Sequence, residues 1–461
     1  MQAAPLDSDS LAKLAWLMPW VDHACTLFVI YRAAWARVTG FYILFWVTVG
    51  ILIPKTTAII LLIWGGRKYT RLAKNKREVN AIAKKLTSES EIRGNRFVVL
   101  GDEDGKMMLE TLLSEIQKAQ KRIHIETYIL KADAIGREII SALTQRARAG
   151  VEVRLLLDGV GSWGTPHFLC QPLIKAGGEV AQFNPVLPMQ GKGSANWRNH
   201  RKIAVFDGQV AVIGGQNISL NYLGYVPSNR RYRDCSFLID GPAAGALERV
   251  FVADWCQATD REPKEFLEIL RHQPLLNGKA EIKIISSGPD CIGDPLWETY
   301  IKLIENAEKS ITIMTPYFVP DRTLFRLLVN AAQKNIEVKV IIPRRSDHRL
   351  LDFARRWYLR KLKEAGAKIL FYKSGVLHAK LFLVDEKTTV IGSANLDMRS
   401  FFFNYEIAAS ITNEESVDNI EDFIHSIELD CSPYSEDIYR RSRTWKGQIL
   451  EAFSKLIAPL L

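Results

Sequence analysis

Two stretches decide the fold: Asn199–Asn217, NHRKIAVFDGQVAVIGGQN, and Leu377–Asn395, LHAKLFLVDEKTTVIGSAN. Each holds His-x-Lys, four further residues, an Asp, a Gly-Gly or Gly-Ser pair, and an Asn ten positions beyond the Asp. His200, Lys202, Asp207, Gly214, Gly215 and Asn217 therefore match His378, Lys380, Asp385, Gly392, Ser393 and Asn395. Alternate side chains on a strand share a face, so each motif turns an imidazole and an ammonium to one spot. IAVF and LFLV read as buried strands. The glycine turn admits close backbone approach to a ligand, and the Asn offers an amide donor. A phosphoryl group is handled mainly by positioning and charge stabilisation, which lysines and amides supply. Two imidazoles divide the remaining work: one, neutral, attacks phosphorus, and the other, protonated, gives its proton to the leaving alkoxide. A lone His-x-Lys is more often a surface or core pair. Two copies at matched spacing point to a site.

The duplication extends outward. Met108–Ile123, MLETLLSEIQKAQKRI, and Leu296–Ile311, LWETYIKLIENAEKSI, agree at six positions and place apolar residues at helical spacing. Each leads into a β-rich run, HIETYIL or TIMTPYFV, and VEVRLLLDG at Val151 parallels IEVKVIIPR at Ile336. Helix-like runs alternating with apolar strands predict βαβ units with buried central strands. Tyr128 and the Tyr317–Phe318 pair follow equivalent strands, where they either line a pocket or fill the core. His124 reads as a core or surface histidine, and Asp352–Glu364 as an amphipathic helix. Arg344 and Arg345 end a strand, where either function or solvation accounts for them.

The 461 residues are 48% hydrophobic and 24% charged, which excludes wholesale disorder, collagen and coiled coil. A net charge of +10 favours anionic partners. Six cysteines without CxxC or zinc spacing read as reduced structural thiols. From Val38 to Trp64 the chain is apolar apart from Lys55, which predicts a membrane helix kinked at Pro54. A second apolar stretch, Leu14–Trp35, reads as another span or an interfacial helix. Arg67, Lys68, Arg71, Lys74, Lys76 and Arg77 follow and mark the cytoplasmic side. Residues 1–92 are accordingly expected to be a membrane-anchoring region and basic linker, with α/β halves over 93–275 and 276–461.

The paired motifs resemble the phospholipase D superfamily, and within it the bacterial cardiolipin synthases. The residues that carry the likeness are RNHRKIAVFDG, VIGGQNISLNYLG, YRDCSFLIDGPA, VADW, TPYFVPD at Thr315, GVLHAKLFLVD and SANLDMRSFFFNYE, within roughly residues 95–461. The resemblance implies two pseudo-symmetric α/β sandwich halves with central mixed sheets, sharing one active site at their interface. It implies a phosphohistidine on His200, with His378 as acid and then base. Lys202, Lys380, Asn217 and Asn395 fall on phosphate-binding positions. Asp207 and Asp385 complete the motif in a role more structural than chemical. A carboxylate orients each histidine: Glu406, 28 residues past His378, and Asp234 as its counterpart in the first half. No metal or other cofactor is implied. The implied partners are the bacterial inner membrane, faced from the cytoplasm, and an anionic phospholipid, phosphatidylglycerol. A hydrolase or a transferase with another acceptor is the alternative, and a nuclease or nucleic-acid binder a more distant one.

Overall fold

The structure is a computed structural model that describes residues 18–30, 47–57, 77–79, 93–165, 167–185, 197–291, 293–435 and 444–457. In the first half, β1 (Arg96–Leu100), β2 (Arg122–Thr127), β3 (Glu152–Asp158), β4 (Glu179–Phe183), β5 (Ile203–Phe206), β6 (Val210–Gly214) and β8 (Ser236–Asp240) form one sheet. Its order is β1-β8-β6-β5-β2-β3-β4, and β7 (Tyr232–Arg233) stands outside it. The second sheet takes β9 (Ile282–Ser287), β10 (Ser310–Met314), β12 (Glu337–Pro343), β13 (Lys368–Tyr372), β15 (Leu381–Val384), β16 (Thr388–Gly392), β18 (Glu406–Ile411) and β19 (Cys431–Pro433). Its order is β19-β13-β12-β10-β15-β16-β18-β9, while β11 (Phe318–Val319) pairs with β17 (Leu396–Asp397) and β14 (Val376–Leu377) with β7. With β19 set aside, the second order retraces the first strand for strand. In each sheet three strands run parallel, β2-β3-β4 and β10-β12-β13, and the others are antiparallel. The sheets are mixed, as the family resemblance implies.

Strand alternation decides which face meets which neighbour. Ile203, Val205, Ala211 and Ile213 pack into one core with Leu381, Leu383, Ile391 and Ile407 of the other half. Ala204, Phe206 and Val212 turn the opposite way, onto helices Lys106–Lys118 and Ala134–Arg148. Phe382, Val384 and Val390 do the same in the second half, onto Pro295–Glu305 and Arg322–Gln333. Each of these strands is thus buried on both faces, which is why IAVF and LFLV are continuous apolar runs. The shared core brings the starts of β5 and β15, where the two His-x-Lys motifs end, to the interface between halves. The helix expected at Asp352–Glu364 is present as Arg349–Glu364.

The motif aspartates do different work from the histidines. Asp207, in a left-handed conformation at φ 52, accepts hydrogen bonds from the backbone N–H of Gln120, Lys121 and Arg122 at 2.8, 2.7 and 2.9 Å. Asp385, at φ 54, accepts from Glu308, Lys309 and Ser310 at 2.9, 2.7 and 2.9 Å. Each ties the end of a motif strand to the start of its neighbour. At about 3.3 Å per residue this end lies roughly 16 Å along the strand from the lysine, so neither carboxylate reaches the imidazoles.

Most of the apolar run Val38–Trp64 and of the basic cluster, and both ends of Leu14–Trp35, lie outside the described residues. Residues 18–30 and 47–57 are helical apart from a bend at Ile53, just before Pro54. Lys55 pairs with Asp22 at 3.2 Å, and the Val29 side chain packs against Gly50. Among the described residues no helix is long and apolar enough to cross a membrane.

Asp207→Ala and Asp385→Ala each leave three backbone donors without their acceptor. We expect each to lower stability by about 1–3 kcal/mol in denaturant titrations. Hydrogen exchange at 120–122 or 308–310 should accelerate while the imidazoles keep their partners.

Candidate active site

The two histidines are placed by backbone pairing between halves. Strand β14 runs parallel to β7, and the His378 N–H donates to the Arg233 carbonyl at 2.7 Å. On the pseudo-symmetric side Asn199 bridges Tyr405, the His200 N–H donates to the Tyr405 carbonyl at 2.9 Å, and the Tyr405 N–H donates to Arg198. Each histidine is therefore stitched to the residue just before the other half's carboxylate. The result crosses the pairs: His378 Nδ1 lies 2.6 Å from Asp234 Oδ2, and His200 Nδ1 lies 3.1 Å from Glu406 Oε2. The sequence reading matched each carboxylate with the histidine of its own half, and the structure corrects this. The residues before Asp234 leave their own sheet to pair across the interface, which spacing along the chain does not reveal. A carboxylate on Nδ1 fixes the tautomer and leaves Nε2 for chemistry.

The lysines complete the set. Lys202 Nζ donates to the His200 carbonyl at 2.7 Å, and Lys380 lies against the His378 ring with Asp234 at 3.5 Å. Burial, with Lys380 adding and Glu406 opposing, brings the Lys202 ammonium down to about 7. Burial and Lys380 bring His378 down to about 4 against the pull of Asp234. His200 is lowered too, by burial first, with Glu406 acting against it. Burial would raise Asp234, but Lys380 and His378 hold it below the usual carboxylate range, as His200 and Lys202 do for Glu406. Without an anion, then, both carboxylates are charged and both imidazoles neutral at neutral pH. An entering phosphodiester would favour the protonated lysines and an imidazolium.

The Gly-Gly and Gly-Ser positions shape these contacts. A Cβ on Gly215 would run into the Asp234 carboxylate, while Ser393 uses its hydroxyl to donate to Glu406. Asn217 is held by the Ile129 N–H at 3.2 Å and by the Tyr222 hydroxyl. Asn395 is buried with no partner for its side-chain oxygen. Tyr128 meets His200 edge-on at 4.9 Å, and Tyr222, Tyr232 and Tyr317 surround His378 at 5.3, 5.6 and 6.4 Å. Phe318 is buried core, and His124 is buried, stacked on Phe251. Arg344 and Arg345 are exposed.

Sequence reasoning passed over Arg201, the middle residue of His-Arg-Lys. It is fully buried and ion-paired with Asp254, and it donates to Ser286 at 2.9 Å, Ser287 at 3.0 Å and the Glu406 carbonyl at 3.2 Å. It thus crosses from the first half into the second. Asn199 joins Glu126 to the same cluster. Burial and the Asp254 charge push the Glu126 carboxyl well up. The corresponding residues beneath His378 are Ala379, Leu377 and Met314. That contrast between RNHRK and VLHAK was the available signal.

The family profile described as "Cardiolipin synthase, PLD-like domain" matches residues 112–255 and 300–427. Cardiolipin synthase 1 of Bacillus anthracis is 36% identical over 369 residues, covering 78% of this chain and 71% of the relative. Major cardiolipin synthase ClsA of Bacillus subtilis is 34% identical over 360 residues, covering 78% and 74%. Phosphatidylserine synthase of Haemophilus influenzae superposes with a TM-score of 0.59 at 16% identity, over 83% of this chain and 100% of that one, which shows a shared fold.

Arg201→Ala would leave the buried Asp254 without its Arg201 counter-charge. Breaking such a buried pair costs about 3–5 kcal/mol. The variant should melt well below the parent in differential scanning fluorimetry, whereas a substitution at exposed Arg345 should not.

Proposed function

The chain belongs to the cardiolipin synthase family of phospholipase D-like proteins, and we propose that it moves a phosphatidyl group from one phosphatidylglycerol to another, forming cardiolipin and releasing glycerol. The observation that supports this most directly is the pair of imidazoles, each held through Nδ1 by a carboxylate of the opposite half. In the first step His200 Nε2 attacks phosphorus, the bond to the glycerol oxygen breaks, and His378 Nε2 gives that oxygen its proton. The proton reaches His378 when the phosphodiester anion enters and offsets the desolvation that otherwise keeps the ring neutral. In the second step the hydroxyl of another phosphatidylglycerol attacks the phosphohistidine. His378 takes its proton, and the P–N electron pair returns to His200. One phosphodiester replaces another, so no nucleotide is consumed. Lys202, Lys380, Asn217 and Asn395 are read as the groups that neutralise and orient the phosphoryl oxygens.

We read residues 93–275 and 276–461 as the two catalytic halves and 1–92 as the anchor in a bacterial inner membrane, with the halves on the cytoplasmic face. The apolar run Val38–Trp64 and the basic residues after it support this arrangement. An anchor of this kind keeps the site at the surface where its lipid substrates reside.

Purified protein in detergent with phosphatidylglycerol alone should yield cardiolipin and glycerol, followed by mass spectrometry. Phosphatidic acid as the only product would mean that water is the acceptor. His200→Ala and His378→Ala should each abolish turnover, and full activity in either would contradict a shared site.

A pH dependence follows from Lys202. Its folded pKa is depressed to about 7, so the free enzyme loses this ammonium as pH rises through that value. The profile of kcat/KM should therefore fall above about pH 7, since it reports groups of the free enzyme. Lys202→Arg stays charged and should move that limb upward. An unchanged limb would exclude Lys202 as its origin.

A further inference from the structure

The phosphatidyl-transfer reading leaves one carboxylate beside the site without a role. Asp347 lies in the loop between β12 and helix Arg349–Glu364, in the run RRSDHRL, where it is the only acid. It is exposed, whereas Asp234 and Glu406 are buried. Its Oδ1 accepts a hydrogen bond from the Tyr317 hydroxyl at 2.6 Å, and the Tyr232 hydroxyl bonds to it as well. Both tyrosine rings stand against His378. The Asp347 charge is felt at His378, Lys380 and Tyr222. A solvent-facing carboxylate is thus clamped by two tyrosines at the mouth of the site, on the side of the imidazole read as acid and base.

Its sign needs an explanation. The donor and acceptor lipids each bring a phosphodiester anion, and a carboxylate beside them repels both. It is attractive toward a hydrogen-bond donor or a cation, and phosphatidylglycerol carries no cation. The glycerol headgroup supplies the hydrogen-bond donor: when one hydroxyl attacks phosphorus, its neighbour is left free. We propose that Asp347 is a specificity-determining residue that accepts a hydrogen bond from the non-reacting hydroxyl of the acceptor headgroup, and so selects a vicinal diol. Arg344, Arg345 and Arg349 stand within three residues of it in the chain, and positive charge there would offset its repulsion of the lipid phosphate.

The chemistry is that of the second step with one contact added. The attacking hydroxyl loses its proton to His378 Nε2, its oxygen bonds to phosphorus, and the P–N pair returns to His200. The neighbouring hydroxyl makes no covalent change and donates to Asp347 throughout. A site that hydrogen-bonds a hydroxyl rejects the analogue lacking it, because its own polar group is then left without a partner.

The test is an acceptor competition on the full chain in detergent micelles. Phosphatidylglycerol is the donor, and 1,2-propanediol, 1-propanol and ethanolamine compete at equal concentration, with products resolved by mass spectrometry. The parent should favour the diol over 1-propanol, and Asp347→Ala should lower that ratio by about tenfold. Tyr317→Phe, which frees the carboxylate from one clamp, should lower it less. The ratio is internal to each sample, so a smaller folded fraction does not alter it. An unchanged ratio in Asp347→Ala overturns the proposal. So does a parent that prefers ethanolamine, since the carboxylate would then be reading a charge. If the parent keeps its diol preference but makes no cardiolipin, Asp347 stands as a diol contact and the lipid acceptor of the proposed function falls.

Discussion

The exchange of backbone partners between the two halves is the constraint on which the rest of the structure depends. The Arg233 carbonyl takes the His378 N–H and the Tyr405 carbonyl takes the His200 N–H. The residue after each acceptor is a carboxylate, so these bonds deliver Asp234 and Glu406 to histidines that their own halves do not contain. Neither motif histidine takes its carboxylate from its own half. A shift of one residue in either pairing would turn the carboxylate to the opposite face, because side chains alternate along extended backbone. The shared core of Ile203, Val205, Leu381 and Leu383 holds that register.

The same closeness sets the electrostatics. Two lysines, two imidazoles and two carboxylates lie together, all buried except the partly buried His200, and desolvation acts first on every one of them. It pushes the cations toward neutrality, while their proximity keeps the carboxylates ionised. The set is short of positive charge until an anion arrives. Substrate binding and protonation are therefore linked, and the group that calls up the acid is the phosphodiester on which the acid acts.

The motif histidines, lysines and asparagines were legible in the sequence because each is repeated at fixed spacing, and a repeat carries information that one copy lacks. The duplicated sheet was legible for the same reason, since IAVF and LFLV show two buried faces. The partnership of Asp234 with His378 was not legible. It depends on Tyr232–Arg233 leaving its own sheet, a tertiary event with no local signature. Arg201 was hidden differently. Repeat matching discards positions where the copies differ, and Arg201 stands opposite Ala379. The N-terminal apolar runs were read from hydropathy alone, and among their described residues Lys55 pairs with Asp22.

Positions where the copies differ are where pseudo-symmetry gives way to division of labour. Beneath His200 lies a buried polar cluster in which Arg201 holds Asp254 and the Glu406 carbonyl. Beneath His378 the same positions are apolar. The lysines differ as well: each donates to the carbonyl of its own histidine, but Lys380 also touches the His378 ring. Ser393 donates to Glu406, but Gly215 only makes room for Asp234. Environments that treat two titratable groups differently are what assign acid and nucleophile within a pair. A duplicated chain starts with two equivalent imidazoles, and a reaction that needs one to stay bound to phosphorus while the other moves a proton requires that equivalence to be broken. Here it is broken at Arg201 against Ala379 and at Gly215 against Ser393, while the His, Lys, Asp and Asn of the motif stay the same in both halves.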